Sequence, residues 1–255
     1  MTIIKKIGLI TFTVISSYTN AQEEANIITD RPDQTESSSV IPRGSLQIES
    51  GVLIGFTNAS NSAEKQIAAP STLFRLGILN TIELRIFNQF ESLKNQNTGD
   101  KTSGISDLEI GAKIQLFQQD DVNTEVAFLS HLIIPTGSEA LTNKKYGTIN
   151  KLSISHDLNE KFSVGYNLGY NYYGDDDGDF TYSVALGHSF TDKVGLYIEP
   201  YGEVVNFNKH IMNADAGITY LLKHNFQLDF SFGTGLNHTM NYMSAGFSWN
   251  ISNLK

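Results

Sequence analysis

From Leu46 onward the chain alternates between apolar and polar positions. Leu46, Ile48, Val52, Ile54 and Phe56 share one face of an extended segment, and Gln47, Glu49, Gly51 and Gly55 share the other. A period of two predicts a β-strand with one greasy and one wet side. The pattern returns over residues 73–79, 82–90, 105–117, 124–134, 146–156, 162–172, 180–190, 194–204, 211–221, 226–234 and 242–251, which predicts twelve strands in all. Ile82, Leu84 and Ile86 oppose Glu83 and Arg85, and Leu108, Ile110, Ala112, Ile114 and Leu116 oppose Asp107, Glu109, Lys113 and Gln115. Charges at every second position need water or each other. That face is therefore expected to line a wet lumen, with its neighbour turned to lipid.

The connections strengthen this reading. Those at 80–81, 118–123, 157–161, 191–193 and 222–225 are short, and those at 57–69, 91–104, 135–145, 174–179, 206–210 and 235–241 run longer on the whole. Short turns alternating with long loops are the mark of an outer-membrane barrel. The expected fold is all-β, a transmembrane antiparallel up-and-down barrel of about twelve strands over residues 45–255. Residues 22–44 form a polar segment at or inside its periplasmic mouth. Aromatics gathered at Tyr170, Tyr172, Tyr173, Phe180 and Tyr182 fit an interfacial girdle. A soluble sandwich or lipocalin-like barrel shares the alternation but turns its apolar faces inward, which the pattern alone does not decide.

Composition narrows the compartment. Met1 to Ala21 carries Lys5 and Lys6, an apolar run from Ile7 to Ile15 and a small polar stretch, the layout of a secretory signal cleaved near Ala21. The run is too short to span a bilayer as a helix. Its loss would make the formal net charge of -9 more negative by two lysines. An acidic chain offers no basic stripe for nucleic acid. An exported chain with no cysteine must be held by something other than disulfides, such as a closed sheet in lipid. Outer-membrane lipid, lipopolysaccharide and, during biogenesis, the barrel-assembly machinery are the partners such a barrel implies.

Before the first strand stands "TDRPDQTESSSVIPRGSLQIESG", residues 29–51. It resembles the entry motif of the bacterial outer-membrane family labelled "meta-pathway of phenol degradation" or simply "transporter", matching at Thr29, Asp30, Arg31, Pro32, Asp33, Thr35, Glu36, Pro42, Gly44, Gln47 and Glu49. "GISDLEIGAKIQLF" resembles a further family strand at Gly104, Asp107, Gly111 and Lys113, and "LIIPTG" at Leu132 to Gly137 is a third matching piece. The resemblance implies the barrel fold and an outer-membrane location, without one substrate. Pro32 and Pro42 oppose regular structure, so the run is expected to be an ordered coil. Arg31 is expected to pair with luminal carboxylates such as Glu49, Glu83 or Glu109, with Asp30 and Asp33 accepting hydrogen bonds and Glu36 beside them.

Other chemistry is thin. "GDDDGD" sets Asp175, Asp176, Asp177 and Asp179 in one loop, a weak calcium candidate without the ligand spacing of a calcium loop. The six histidines make no H-x-x-x-H pair, so no metal or other cofactor is expected. Ser155-His156 and His188-Ser189 are adjacent and so face opposite sides of a strand, which argues against a lipid hydrolase and against an enzyme. Two functions remain. One is a channel or transporter for small molecules, hydrophobic or aromatic ones among them, through a lumen lined by Glu49, Glu83, Arg85, Asp107, Glu109 and Lys113. The other is a structural or interaction barrel closed by its own N-terminal segment.

Overall fold

The computed structural model describes residues 27–59, 62–119, 124–174 and 177–252; the proposed leader lies outside them. Thirteen strands follow in order: β1 (Leu46–Ala59), β2 (Ser62–Leu79), β3 (Ile82–Asn95), β4 (Lys101–Ile105), β5 (Leu108–Gln119), β6 (Thr124–Ile134), β7 (Gly147–Asp157), β8 (Phe162–Tyr172), β9 (Asp179–Ser189), β10 (Val194–Val205), β11 (Lys209–Lys223), β12 (Phe226–Gly235) and β13 (Thr239–Ile251). Apart from β4 and β5, each pairs antiparallel with the next in the chain, and β1 pairs with β13, so the sheet closes on itself. β4 and β5 pair with successive parts of β3 and form one stave broken at Ser106 and Asp107, which makes a closed barrel of twelve staves. Closure pairs each full stave on both sides, the condition for a sheet to sit in lipid.

Side-chain burial decides which way the faces point. Leu84, Ile86, Ile110, Ile198, Ile218, Phe230, Phe232 and Trp249 are exposed, while Arg75, Arg85, Lys113, Glu49, Glu83 and Glu199 are buried. A soluble protein shows the opposite distribution. The apolar faces look out to lipid and the charges look in, which excludes the sandwich and lipocalin alternatives. Placing a charge on the outer face has a direct cost. Ile86→Arg, midway along the apolar part of β3 (residues 82–90), should destabilise the barrel by about 2–4 kcal/mol in equilibrium unfolding from lipid vesicles, against about 1 or less at an interfacial position.

Two of the expected long loops are strand instead. Residues 57–59 and 62–69 belong to the β1–β2 hairpin, and 90–94 pairs with 101–105. Their polar side chains hide the alternation, but the backbone ladder continues beyond the apolar band. Pro70, inside β2, sits where the pairing to both neighbours shifts register, the place a residue without an N–H can occupy. Tyr170, Tyr172 and Phe180 face out as expected. Tyr173 does not join them, because its hydroxyl takes a hydrogen bond from the inward-facing Asn171. A second aromatic set collects at the short-turn end, where Phe162 stacks on His188 and Phe226 on Phe247.

Candidate functional site

Residues 27–44 lie inside the barrel as a coil, here termed the strap. It enters at the short-turn end, where the Ile27 N–H donates to the His224 carbonyl at 2.7 Å. It then passes the staves in reverse order. Gln227 of β12 donates to Thr29, Arg31 meets Asp229 of β12, and the Gln34 N–H donates to Glu199 of β10. Thr35 meets Ser183 of β9, the Glu36 N–H donates to Asn167 of β8, and Ser38 meets Ser155 of β7. Ser39 donates to Glu125 of β6, the Ile41 N–H to Glu83 of β3, and the Gly44 N–H to the Gly77 carbonyl of β2, after which the chain enters β1. One lap of polar contacts thus replaces the water that this non-helical backbone requires at membrane depth.

Asp30 sits at the centre of the ring. Its carboxylate accepts from Arg85 at 2.5 Å and from Lys113 at 2.9 and 3.0 Å, and lies 3.3 Å from Arg75. The Ser37 N–H and hydroxyl close the strap back onto the same group at 2.8 and 2.6 Å. Arg75 also grips Glu49 at 2.9 Å and Glu83 at 2.8 Å, while Arg85 reaches Glu83 at 2.9 Å and Glu36 at 2.7 Å. Glu49 in turn accepts the Asp30 and Arg31 backbone N–H groups at 3.0 Å. The Arg85 Nε–H donates to His131 Nε2 at 3.0 Å, which leaves His131 Nδ1 to carry its proton toward Glu109 at 2.9 Å.

The expected partners of Arg31 are corrected here: its guanidinium binds Asp229 at 2.8 and 3.1 Å and Ser244, and only its backbone meets Glu49. It lies over Gly51 and Gly246, paired across β1 and β13, and a β-carbon at either glycine would stand 2.5 Å from Arg31 Nη2. Asp107 is also corrected. It stands at the break between β4 and β5 and accepts the Gly137 and Asn143 N–H groups, anchoring a long loop away from the Asp30 cluster.

The lumen is therefore polarised. Arg75, Arg85 and Lys113 come from β2, β3 and β5, interleaved with Glu49, Glu83 and Glu109; Glu199, Asp215 and Asp229 come from β10 to β12, nearly opposite in the ring of staves, where the strap's Arg31 binds Asp229. Glu199 and Asp215 are direct cross-strand partners, and the Tyr242 hydroxyl donates to Asp215. The strap matches this field, with Asp30 and Glu36 on the basic wall and Arg31 on the acidic one. Nothing in the local alternation marked Glu199 and Asp215, since they meet through register rather than sequence spacing.

Asp33 is the strap's other acid, and it faces the acidic wall. Burial and the nearby Glu199 and Asp215 carboxylates push its carboxyl well above the ordinary range. For Asp30, burial acts upward but Arg75, Lys113 and Arg85 outweigh it and hold the group well below that range. The linkage signs are opposite. Asp30 contributes stability that is present above the unfolded carboxylate value and lost as pH falls through the folded one. Asp33 contributes stability that is present below the unfolded value, about 3.9, and is lost as pH rises through its higher folded value. Asp33→Asn should accordingly raise the thermal midpoint at neutral pH and flatten its decline with rising pH, as read by melting in detergent across the pH range.

Two cavities adjoin the strap on its long-loop side and one on its short-turn side. The first, about 420 Å³, is lined by Asp33, Glu36, Arg85 and Lys151 together with Leu53, Leu73, Phe87, Leu129 and Ile149. The second, about 230 Å³, lies between Gln34, Lys151, Tyr201 and Glu203. The third, about 420 Å³, is lined by Ser37, Ser38, Ser39, Glu125 and Ser155 and shares no residue with the other two. The apolar crescent in the first cavity went unpredicted. Its trace in the sequence is a local loss of alternation, in pairs such as Leu53-Ile54, Leu73-Phe74, Ile86-Phe87 and Phe128-Leu129, where both faces are apolar.

Of the calcium candidates, Asp175 and Asp176 lie outside the described residues. The Asp177 carbonyl accepts from Tyr170, and the Asp179 carboxylate accepts the Asn206 N–H. Among the described residues no three His, Asp or Glu side chains converge as metal ligands. Ser155 points inward to Ser38 while His156 bonds Thr124 and Tyr166, and the His188 ring lies on Phe162, so neither Ser-His neighbour pair forms a dyad.

Residues 29–251 match the family described as "Putative MetA-pathway of phenol degradation". The chain belongs to that family. No curated protein matches the chain. Among solved structures, the KdgM porin in complex with disordered oligogalacturonate aligns with a TM-score of 0.55 and 10% identity, covering 80% of this chain and 98% of the porin. The NanC porin aligns with a TM-score of 0.50 and 11% identity, covering 78% and 98%. The toluene transporter TbuX of Ralstonia pickettii gives a TM-score of 0.46 at 8% identity, covering 83% and 90%. At these identities the two porins share this chain's fold, that of an outer-membrane barrel.

Proposed function

We propose that this family member is an outer-membrane channel or transporter for small molecules, gated by its own strap and without catalytic activity. The observation that carries the reading is the division of the lumen, with separate cavities on the two sides of a strap tied to both walls. The long-loop side faces outside and the short-turn side faces the periplasm. Export by the leader ending near Ala21, insertion by the barrel-assembly machinery, and a surround of lipid and lipopolysaccharide complete this picture. A second reading, a barrel whose strap never leaves, is favoured by the buried ion pairs around Asp30.

The chain has no cysteine, which makes a lock possible. Thr35 and Ser183 hold their hydroxyl oxygens 2.7 Å apart, and the Thr35→Cys/Ser183→Cys variant can close a disulfide there. Proteoliposomes carrying it should admit a small sugar when reduced and exclude it when oxidised. Permeation indifferent to the lock, or absent in both states, would sink the gated channel.

A further inference from the structure

The long-loop cavity joins two features that a simple water-filled pore does not need. One is the apolar crescent of Leu53, Leu73, Phe87, Leu129 and Ile149 on the inner wall. The other is Lys151 of β7, which lines the same cavity. Its ammonium makes no hydrogen bond among the described residues, and its ion-pair partner there is Glu36, at 3.8 Å. An ammonium carries three donors, so this one is under-used at a cavity wall. Glu36 is itself the loosely held acid of the strap, with its side chain 19% exposed against 5% for Asp30. It has one close grip, Arg85 at 2.7 Å, and stands 3.9 Å from Lys113.

We propose that this cavity binds small amphipathic carboxylates, whose head takes the place of Glu36 between Arg85 and Lys151 while the apolar body lies on the crescent. The inference rests on the channel reading and names its solute class. A cavity of about 420 Å³ has room for a small molecule of one or more rings. The other acids of this wall are engaged: Asp30 and Glu49 by the arginines, Glu109 by His131. An organic cation would thus meet Lys151 and Arg85 with no free acid beside them. Asp33 also lines the cavity, near Glu199 and Asp215. A neutral solute would use the crescent but leave the ammonium unpaired. The exchange also couples binding to gating, because Glu36 is held in the ring through its backbone to Asn167 and its carboxylate to Arg85, and the head removes the second hold.

Equilibrium binding to the detergent-solubilised full barrel tests this without requiring an open pore. Isothermal titration with benzoate, benzyl alcohol, acetate and benzylamine should give saturable binding for benzoate, at least tenfold tighter than for the other three. Lys151→Gln should weaken benzoate at least tenfold and leave benzyl alcohol unchanged, and Lys151→Arg should retain most of the affinity. Equal affinity for benzoate and benzyl alcohol, preference for benzylamine, or indifference of benzoate to Lys151→Gln would each overturn the proposal. A failure of sugar permeation in the disulfide-lock experiment would instead strike the channel reading.

Discussion

Replacing Asp30 with asparagine is expected to destabilise the barrel by roughly 3–5 kcal/mol, the usual consequence of removing one partner from a buried charge cluster. The cost does not fall evenly. Arg75 retains Glu49 and Glu83, and Arg85 retains Glu83 and Glu36, but Lys113 is left with the Ser37 hydroxyl at 3.2 Å and Glu36 at 3.9 Å. Lys113 is fully buried and its ammonium would then lack a close counter-charge. The Asp30→Asn/Lys113→Met double variant should therefore recover a large part of the loss, giving a coupling of at least 1 kcal/mol in a double-mutant cycle measured by denaturant unfolding. The single variant should also release the strap, seen as faster proteolysis before Leu46. A single variant within about 1 kcal/mol of the wild type, or strictly additive effects, would mean that Asp30 does not organise the ring.

The strands were legible because lipid on one side and a polar lumen on the other impose a period of two along each stave. That periodicity assigns a residue to a face but not to a height. Glu199 and Asp215, or Arg31 and Asp229, meet only once strand register and barrel closure are fixed, and neither is encoded locally. For the same reason Glu49, Glu83, Arg85 and Lys113 could be assigned to the lumen, while the choice of partner for Arg31 could not. Asp107 shared their parity, yet the break at Ser106 removes it from the stave's inner row. The hairpin extensions at 57–59, 62–69, 91–95 and 101–104 escaped because a strand beyond the membrane has no lipid to select apolar positions.

The polarity of the lumen also explains why the strap motif carries both signs of charge within two residues. A coil of one sign would be bound by one wall and repelled by the other. Asp30 followed by Arg31 sends successive side chains to opposite walls, and the lap of hydrogen bonds supplies the backbone partners that neither wall gives alone. Asp33 is the exception, an acid turned to acids, and it makes the strap's hold weaker as pH rises.

Deleting residues 27–44 should give the largest functional change. With the ring gone, the cavities on its two sides join into one water-filled passage, and a barrel of this size stands between filled eight-stranded barrels and open porins. Single-channel conductance in planar bilayers should rise by roughly tenfold or more, because conduction follows the width and lining of the narrowest section. The open pore should prefer cations, although the deletion itself removes more acid than base. What remains on the wall includes Glu49, Glu83, Glu109, Glu125, Glu199, Glu203, Asp215 and Asp229, against Arg75, Arg85, Lys113 and Lys151. A charged lining selects the opposite ion, and the unscreened acidic wall of β10 to β12 dominates once Arg31 no longer covers Asp229. The reversal potential under a potassium chloride gradient reads this directly. A pore that stays closed after deletion would assign the barrier to the barrel wall, and an anion-selective pore would show that the basic wall controls the passage.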